Sequence, residues 1–391
     1  MPANNRIYYA TQLVLLNPQS SDGVPKMSGS APTWYAPRGI QSVGIATNYN
    51  LTELFSIGQL EVYDQPEDLP DVEVTMSKVF DGTPLLYTLC MAGSGSSDSN
   101  VFAQAVSGEG LTEVGNNRVN VQLGLYPDTA ESAFGDSQNF ISMSGMYLSS
   151  FSYTFGTDDN FTEDVTLVGN HKVWKNGVGL TGANDPWVYK FGDVNTRHVF
   201  QSGSAGEYRT SVQTSRRMNL DTSNSVFPTG NGGIHAITGA GGTPQLPYFQ
   251  SITLSSDLGR EEIRQLGRFD PYYRYITFPT EVTSEFEVVA SEGDFLDADD
   301  FATASACSST FSQLVDKQIK ISVCGIDGGV LFDLGSKNKV TSVNFGGGDA
   351  GGDNVSVTYS FRNFNSFALT ASGSFASGDL LRSPNSNPPT N

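Results

Sequence analysis

The sequence predicts a mainly β protein with two tandem domains of the β-sandwich or β-barrel type, each with a short flanking helix. Its composition favours strands and turns, since the 391 residues include 24 Phe, 16 Tyr and 42 Gly while only 16% are charged. Several segments alternate apolar and polar residues, which is the period of a half-buried strand. Two blocks of the sequence also occur twice, in the same order, which predicts a duplicated domain.

The first repeated block runs from Gln41 to Gln59 and recurs without a gap from Gln250 to Arg268. Its first residues alternate apolar with small or polar side chains, which predicts a strand. Polar residues typical of helix caps follow, then apolar residues at i, i+3 and i+4, and then a glycine placed to end a helix. Each copy therefore predicts a strand followed by a short helix, and the two helices are predicted at 50–58 and at 258–266.

The second repeated block is Leu148–Val168, and its partner is Val340–Phe361. Each copy predicts a hairpin, because a loop rich in Gly, Asp and Asn separates two strand-like segments. A two-residue gap in the loop aligns Leu167 with Val357. Chance similarity between common strand motifs is the alternative, and the shared order of the two blocks favours duplication.

The predicted domain organisation follows from these repeats. Residues 1–171 form the first domain with an N-terminal arm at 17–38, and residues 248–381 form the second. The segment 172–247, rich in Gly, Asn, Thr and Ser, is a linker or insertion, and residues 382–391 are a disordered tail.

One strand of each predicted domain has an apolar face and an acid-bearing face. These strands are Asp71–Val79 and Glu281–Val289, in which apolar residues alternate with polar or acidic ones. The candidate functional side chains on the acid-bearing faces are Glu73, Glu281, Glu285 and Glu287. The alternative is an ordinary solvent-facing sheet surface.

The charge of the chain excludes a general nucleic-acid binder. The net charge is −19 and the pI about 4.4, whereas binding to phosphates requires a basic surface. The three cysteines, Cys90, Cys307 and Cys324, lack metal-binding spacing and predict free thiols in a reducing compartment. No apolar run is long enough for a membrane span, and the N-terminus lacks signal-peptide features, which predicts synthesis in a cytoplasm.

No motif in the sequence predicts chemistry. Gly177–Gly182 matches G-x-G-x-x-G but lacks the strand–helix context of a dinucleotide site. The glycine-rich stretch Gly346–Asp353 fits a hairpin loop better than a calcium repeat, and Asp294–Asp300 fits a solvated turn better than a cation site. The three histidines stand alone. We therefore predict no catalytic, cofactor-binding or metal-binding residue, and no enzyme activity.

The repeated unit, with its acidic loop and a following V-x-V-T strand, resembles the tail tube proteins of tailed bacteriophages. The resemblance covers about residues 39–90 and 140–170, with their repeats at 248–290 and 338–362. It implies domains whose sheets join into the inner barrel of a sixfold ring. Two fused domains would then give a trimer with pseudo-sixfold symmetry.

This resemblance implies a virion structural protein, a subunit of stacked rings that conduct the genome during ejection. An acidic lumen would suit that role because it repels phosphates and keeps DNA mobile. The candidates to line it are the acids Glu73, Glu281, Glu285 and Glu287. The implied partners are other copies of the chain, the tail sheath, tail terminator and baseplate proteins, and DNA in transit. The alternatives are a baseplate hub or tail-tip protein, and a capsid decoration or host-binding protein exposing aromatic residues such as Trp174, Trp187 and Tyr189.

Overall fold

Antiparallel strands make up most of the described molecule, which confirms the prediction of a mainly β fold. The computed structural model describes residues 12–19, 27–28, 31–32, 34–35, 37, 39–80, 85–92, 107–125, 139–157, 159–176, 219–220, 248–267, 273–289, 316, 318–325, 328–346 and 354–373. Within these ranges the helices are α1 (Leu85–Met91) and α2 (Leu111–Val114).

The strands of the N-terminal half are β1 (Gln12–Gln19), β2 (Met27–Ser28), β3 (Ala31–Pro32), β4 (Ile40–Asn48), β5 (Leu54–Phe55), β6 (Val62–Asp64), β7 (Asp71–Val79), β8 (Ser107–Gly110), β9 (Arg118–Leu125), β10 (Asn139–Gly156), β11 (Thr162–Gly169) and β12 (Lys172–Asn176). The remaining strands are β13 (Asn219–Leu220), β14 (Tyr248–Asp257), β15 (Arg260–Ile263), β16 (Tyr273–Ile276), β17 (Glu281–Val289), β18 (Lys320–Gly325), β19 (Gly328–Asp333), β20 (Lys339–Gly346), β21 (Ser356–Phe364) and β22 (Ala368–Gly373).

Eight strands form a continuous antiparallel row in the order β4-β7-β11-β10-β14-β17-β21-β20, which we call the main sheet. The first four come from the N-terminal half and the last four from the C-terminal half. If the four strands of each half are numbered in chain order, both halves place them across the sheet in the order first, second, fourth, third. The two halves meet where β10 pairs with β14, so the main sheet contains one four-strand unit twice.

Irregularities in the pairing also recur at corresponding places. The β4–β7 ladder shifts register between Ile40 and Ser42, and the β14–β17 ladder shifts between Phe249 and Ser251. The β10–β11 ladder shifts between Leu148 and Ser150, and the β20–β21 ladder between Val340 and Ser342. Because a bulge fixes the local twist and register of a ladder, the two units match in register as well as in order.

The predicted alignment of the second hairpin strand is wrong by four residues. Leu167 lies opposite Leu148, whereas Val357 lies opposite Phe345. The residue that corresponds to Leu167 is Phe361, opposite Val340. Leu167 and Val357 lie on corresponding strands but at different positions along them, because the loops that join the hairpin strands differ in length.

The predicted helices at 50–58 and 258–266 are wrong. Residues 49–67 form a β-hairpin built on β5 and β6, and residues 258–267 and 273–276 form a second one in which β15 pairs with β16. We call them the first and second hairpins. Gly58 and Gly267 do adopt the left-handed backbone expected of them, with φ of 95° and 83°, but they lie in turns after β5 and β15.

A second layer covers one face of the main sheet. Its strands pair in the orders β1-β9-β10-β12 and β13-β18-β19-β22-β8, and the long β10 belongs to both layers. The halves share one core, since the ring of Phe332 on β19 lies 4.9 Å from that of Tyr153 on β10. The ring of Tyr87 on α1 lies 5.5 Å from that of Phe367 near β22.

The segments predicted as linker and arm contribute to this core in part. Lys172–Asn176 pairs with β10, and Asn219–Leu220 pairs with β18; the remainder of 172–247 lies outside the described residues, so the domain boundaries stay a prediction. In the arm at 17–38, Trp34 and Tyr35 are buried, and Tyr35 exchanges two 2.8 Å main-chain hydrogen bonds with Leu16.

A buried carboxylate anchors α1 to the main sheet. The Leu86 and Tyr87 main-chain N–H groups donate to Glu163 over 3.2 and 2.9 Å, and the Tyr153 hydroxyl donates over 3.1 Å. Lys78, also buried, lies directly opposite Glu163 on β7. Burial raises the pKa of Glu163 to about 7, while the Lys78 charge and these three donors oppose that rise.

Candidate assembly interfaces

The four predicted lumen carboxylates lie on the face of the main sheet that the second layer leaves uncovered. Along β7 and β17 every second residue is buried and the residues between them are exposed or half-buried. Glu73, Glu281 and Glu285 are exposed, and Glu287 is half-buried, where the Ser251 hydroxyl donates to it over 3.0 Å. The predicted alternation of the two strands is thus present, whereas the lumen role of these acids stays a prediction.

The same face carries acids that the sequence reasoning missed. Asp164 on β11 and Asp257 at the end of β14 line a shallow groove across the β10–β14 junction, together with Glu281. The rest of the groove consists largely of Ser and Thr side chains. The Arg362 guanidinium lies 3.9 Å from Glu281 and partly offsets its charge. The face is therefore hydroxyl-rich and mainly acidic. The alternation of apolar and polar residues along β11 and β14 was the sequence signal that could have predicted Asp164 and Asp257 on this face.

Both ends of the main sheet are open edges in the described chain. At one end β4 pairs with β7 on one side, and at the other β20 pairs with β21 on one side. An open strand edge presents unpaired main-chain donors and acceptors, and it is a template for pairing with another chain. Because the two edges belong to different positions of the repeated unit, they can pair with each other between copies.

The two hairpins project from the same end of the main sheet. Each follows the first strand of its unit, and β4 and β14 run in the same direction, since three antiparallel neighbours separate them. Three apolar side chains next to these turns are fully exposed: Ile57 107%, Leu60 103% and Leu266 102%. Exposed apolar clusters of this kind mark interaction surfaces in soluble proteins.

The second hairpin also packs across the junction between the halves. Arg260 Nε donates to the Leu148 main-chain oxygen over 2.7 Å, and Arg264 forms a 2.9 Å ion pair with Asp68. Arg274 reaches Asp71 at 3.0 Å and also pairs with Glu262. Burial lowers the pKa of Arg260 to about 10, which leaves it charged at neutral pH. Guanidinium groups therefore reinforce the internal junction beyond its main-chain ladder.

Other sequence features are only partly described. Trp174 on β12 is 54% exposed, while Trp187 and Tyr189 lie outside the described residues, as do Asp294–Asp300 and Gly177–Gly182.

Cys90 is buried with a free thiol, and burial raises its pKa. In the described part of the chain no three His, Cys, Asp or Glu side chains come together as a metal site. None of the described helices has the length and apolarity needed to cross a membrane.

Comparisons with known proteins give weak structural likeness. No family model matches the chain, and no curated protein matches it. A chain in the structure "Tail of empty GTA particle computed with helical refinement, C6 symmetry" is 13% identical, with a TM-score of 0.20; the match covers 36% of this chain and 99% of that one. A chain of "Virion of native gene transfer agent (GTA) particle" is 12% identical, with a TM-score of 0.18 and coverages of 31% and 81%. TM-scores this low do not establish a shared fold.

Proposed function

We propose that this chain is a virion structural protein, a tail tube subunit that forms trimeric, pseudo-hexameric rings. The rings stack into a conduit with an acidic lumen through which the genome is ejected. The observation that carries the proposal is the repeated four-strand unit, joined edge to edge within one chain and open at both outer edges. A head-to-tail contact between unlike edges generates a closed ring when its rotation closes.

The strand arithmetic is compatible with such a ring. Three copies of the eight-strand main sheet give 24 strands, an even number that lets every neighbour stay antiparallel. Barrels of roughly 16 strands or more leave an aqueous channel. At a strand spacing of about 4.8 Å and a tilt of about 40°, 24 strands enclose a barrel about 50 Å across between backbones. That leaves a wide channel.

The uncovered face of the main sheet supplies the proposed lumen. The groove on this face is lined by Ser and Thr hydroxyls and by acids, which would not bind DNA phosphates. The net charge of −19 adds to this repulsion. Copies assemble in the host cytoplasm, and the mature location is the virion tail.

A baseplate hub is the second candidate, because it needs the same open edges. The exposed hairpin tips favour the tube, since a tube subunit must also contact the ring above or below it. Negative-stain electron microscopy of the purified protein tests both. We expect tubes; discrete rings would favour the hub, and monomers at high concentration would contradict ring formation altogether.

Reversing the lumen charge should slow DNA without stopping assembly. In the variant Glu281→Lys, Glu285→Lys, Glu287→Lys, new phosphate contacts should make duplex DNA bind the tubes, with log K falling by about 0.9 per contacted phosphate for each unit of log salt concentration. Electron microscopy should show tubes of normal length, and particles carrying them should eject DNA slowly at low salt.

The matched control for this charge reversal is the triple Gln variant at the same positions. It removes the acids without adding cations, so its tubes should bind DNA much less than those of the Lys variant. Ejection at the wild-type rate by the Lys variant in low salt would show that this face does not meet the DNA. The lumen assignment would then be abandoned.

A further inference from the structure

The internal β10–β14 junction provides a template for the contact between copies. There Tyr153 lies opposite Leu254, and Ser152 lies opposite Ser255. The ladder registers show that β20 corresponds to β10 and that β4 corresponds to β14. Phe345 therefore corresponds to Tyr153, and Ile45 corresponds to Leu254.

Core-facing positions on both open edges are more exposed than their counterparts at the internal junction. Tyr153 is fully buried, whereas Phe345 is 67% exposed. The first strands show the same contrast, since Leu254 is buried and Ile45 is half-buried. The more exposed side chains are apolar on both edges, and a strand paired as β14 pairs with β10 would lie beside them.

We infer that β20 of one copy pairs antiparallel with β4 of the next copy in the register of the internal junction. Phe345 then lies opposite Ile45, and Asn344 lies opposite Ala46. This inference rests on the proposed function and names the partner surface: the N-terminal edge of a second copy of this chain. It also requires the first hairpin to pack across the boundary, as the second hairpin does within the chain.

The chemistry of the first hairpin fits such a boundary. Leu258, which begins the second hairpin, is fully buried at the internal junction, whereas its counterpart Tyr49 is 61% exposed. The isolated bridge between Leu51 and Glu67 matches the pairing of Arg260 with Ile276, so Leu51 takes the place of Arg260.

Arg264 is likewise replaced in the first hairpin by Phe55, which is 67% exposed, while Leu51 is 54% exposed. Guanidinium contacts at the internal junction thus give way to apolar side chains on the hairpin that faces the next copy. Apolar burial does not depend on charge, so ring closure should persist at salt concentrations that screen exposed ion pairs.

Disulfide trapping tests the register. Asn344 and Ala46 are both exposed, so the variant Asn344→Cys, Ala46→Cys should fold, and directly opposed side chains lie within disulfide reach. Mild oxidation of assembled particles should give covalent trimers as the main species on a non-reducing gel, reversible by reductant. The internal reference is Ser152→Cys, Ser255→Cys, which should cross-link within one chain and change mobility without changing mass.

A shifted pair provides the specificity control. In Asn344→Cys, Asn48→Cys the second cysteine lies two residues from the matching position, and covalent trimers should be several-fold scarcer. If electron microscopy shows rings but the matched pair does not cross-link, the register is wrong while the proposed function stands. If the native chain forms no rings, the proposed function itself fails.

Discussion

Replacing Ile57, Leu60 and Leu266 together by Asp should give closed rings that no longer stack into tubes. These side chains are fully exposed at the tips of the two hairpins, and burying each one is worth about 1.5–3 kcal/mol. Every ring of three copies would present each tip three times at one rim. The loss of apolar burial is therefore multiplied across a ring–ring contact. Electron microscopy and sedimentation of the purified variant would measure the change in tube length.

The fold of the subunit should survive this change. A side chain grafted onto Gly58 or Gly267 would meet no atom within 4 Å, which shows how open the space around the tips is. Urea unfolding of unassembled protein should therefore match the native chain. The control variant carries Met at the three positions, keeps the apolar surface and should form normal tubes. Normal tubes from the Asp variant, or the loss of rings as well, would contradict a stacking role for the tips.

The hairpins also explain where the sequence misled. The i, i+3, i+4 spacing of Leu51, Leu54 and Phe55 predicts an amphipathic helix that packs on the core of its own chain. In the structure these side chains are exposed on a hairpin. A periodic pattern reports that apolar residues need a partner, but it does not say that the partner lies in the same chain.

Strand register shows a second limit. The alignment of Leu167 with Val357 keeps every apolar residue on the correct face, because a shift of four residues is an even number of side-chain alternations. Alternation therefore predicted the strands, the faces of β7 and β17 and the order of the repeats, but not the pairing register of β21. That register depends on the length of the loop after β20, about which alternation carries no information.

The prediction of the candidate site divides in the same way. Period-two patterning placed Glu73, Glu281, Glu285 and Glu287 on the outer sides of their strands, and the structure agrees. The junction between the halves was not predicted, since pairing of β10 with β14 joins residues about a hundred positions apart and leaves no local signal. Only the repeat itself indicated that two such units exist.

Two buried, directly opposed ionisable side chains distinguish the two units. Lys78 and Glu163 are opposed in the N-terminal unit, and the corresponding residues in the C-terminal unit are Val288 and Val357, which are also opposed. The fold therefore accepts an apolar pair at this position. The N-terminal unit differs because Glu163 also accepts hydrogen bonds from α1.

Glu163→Val should lower the free energy of unfolding by about 3–5 kcal/mol, because it removes the buried carboxyl opposite Lys78 and leaves the α1 N–H donors and the Tyr153 hydroxyl without their acceptor. At pH 4.5 and below, Glu163→Gln keeps an acceptor of similar shape and should cost about 1–2 kcal/mol. Urea unfolding of unassembled protein gives both values. Glu261→Gln, at an exposed carboxylate, is the matched control and should leave stability within about 0.5 kcal/mol of the native chain. Equal values for Val and Gln would show that the acceptor role of Glu163 is unimportant.

The pH dependence of stability should identify the same carboxyl group. Its pKa is raised from 4.5 in the unfolded chain to about 7 in the folded one. The folded state then binds the extra proton between these values, so the stabilisation is complete below pH 4.5 and is lost as pH rises through about 7. The native chain should therefore lose up to about 3 kcal/mol relative to Glu163→Gln between pH 4.5 and 8. The difference between the two chains removes the contribution of the other titrating groups. If that difference does not change with pH, or if it favours the native chain increasingly as pH rises, the prediction is contradicted. Glu163 would then be ionised in the folded chain throughout this range, and the Lys78 charge would outweigh the cost of burying the carboxylate.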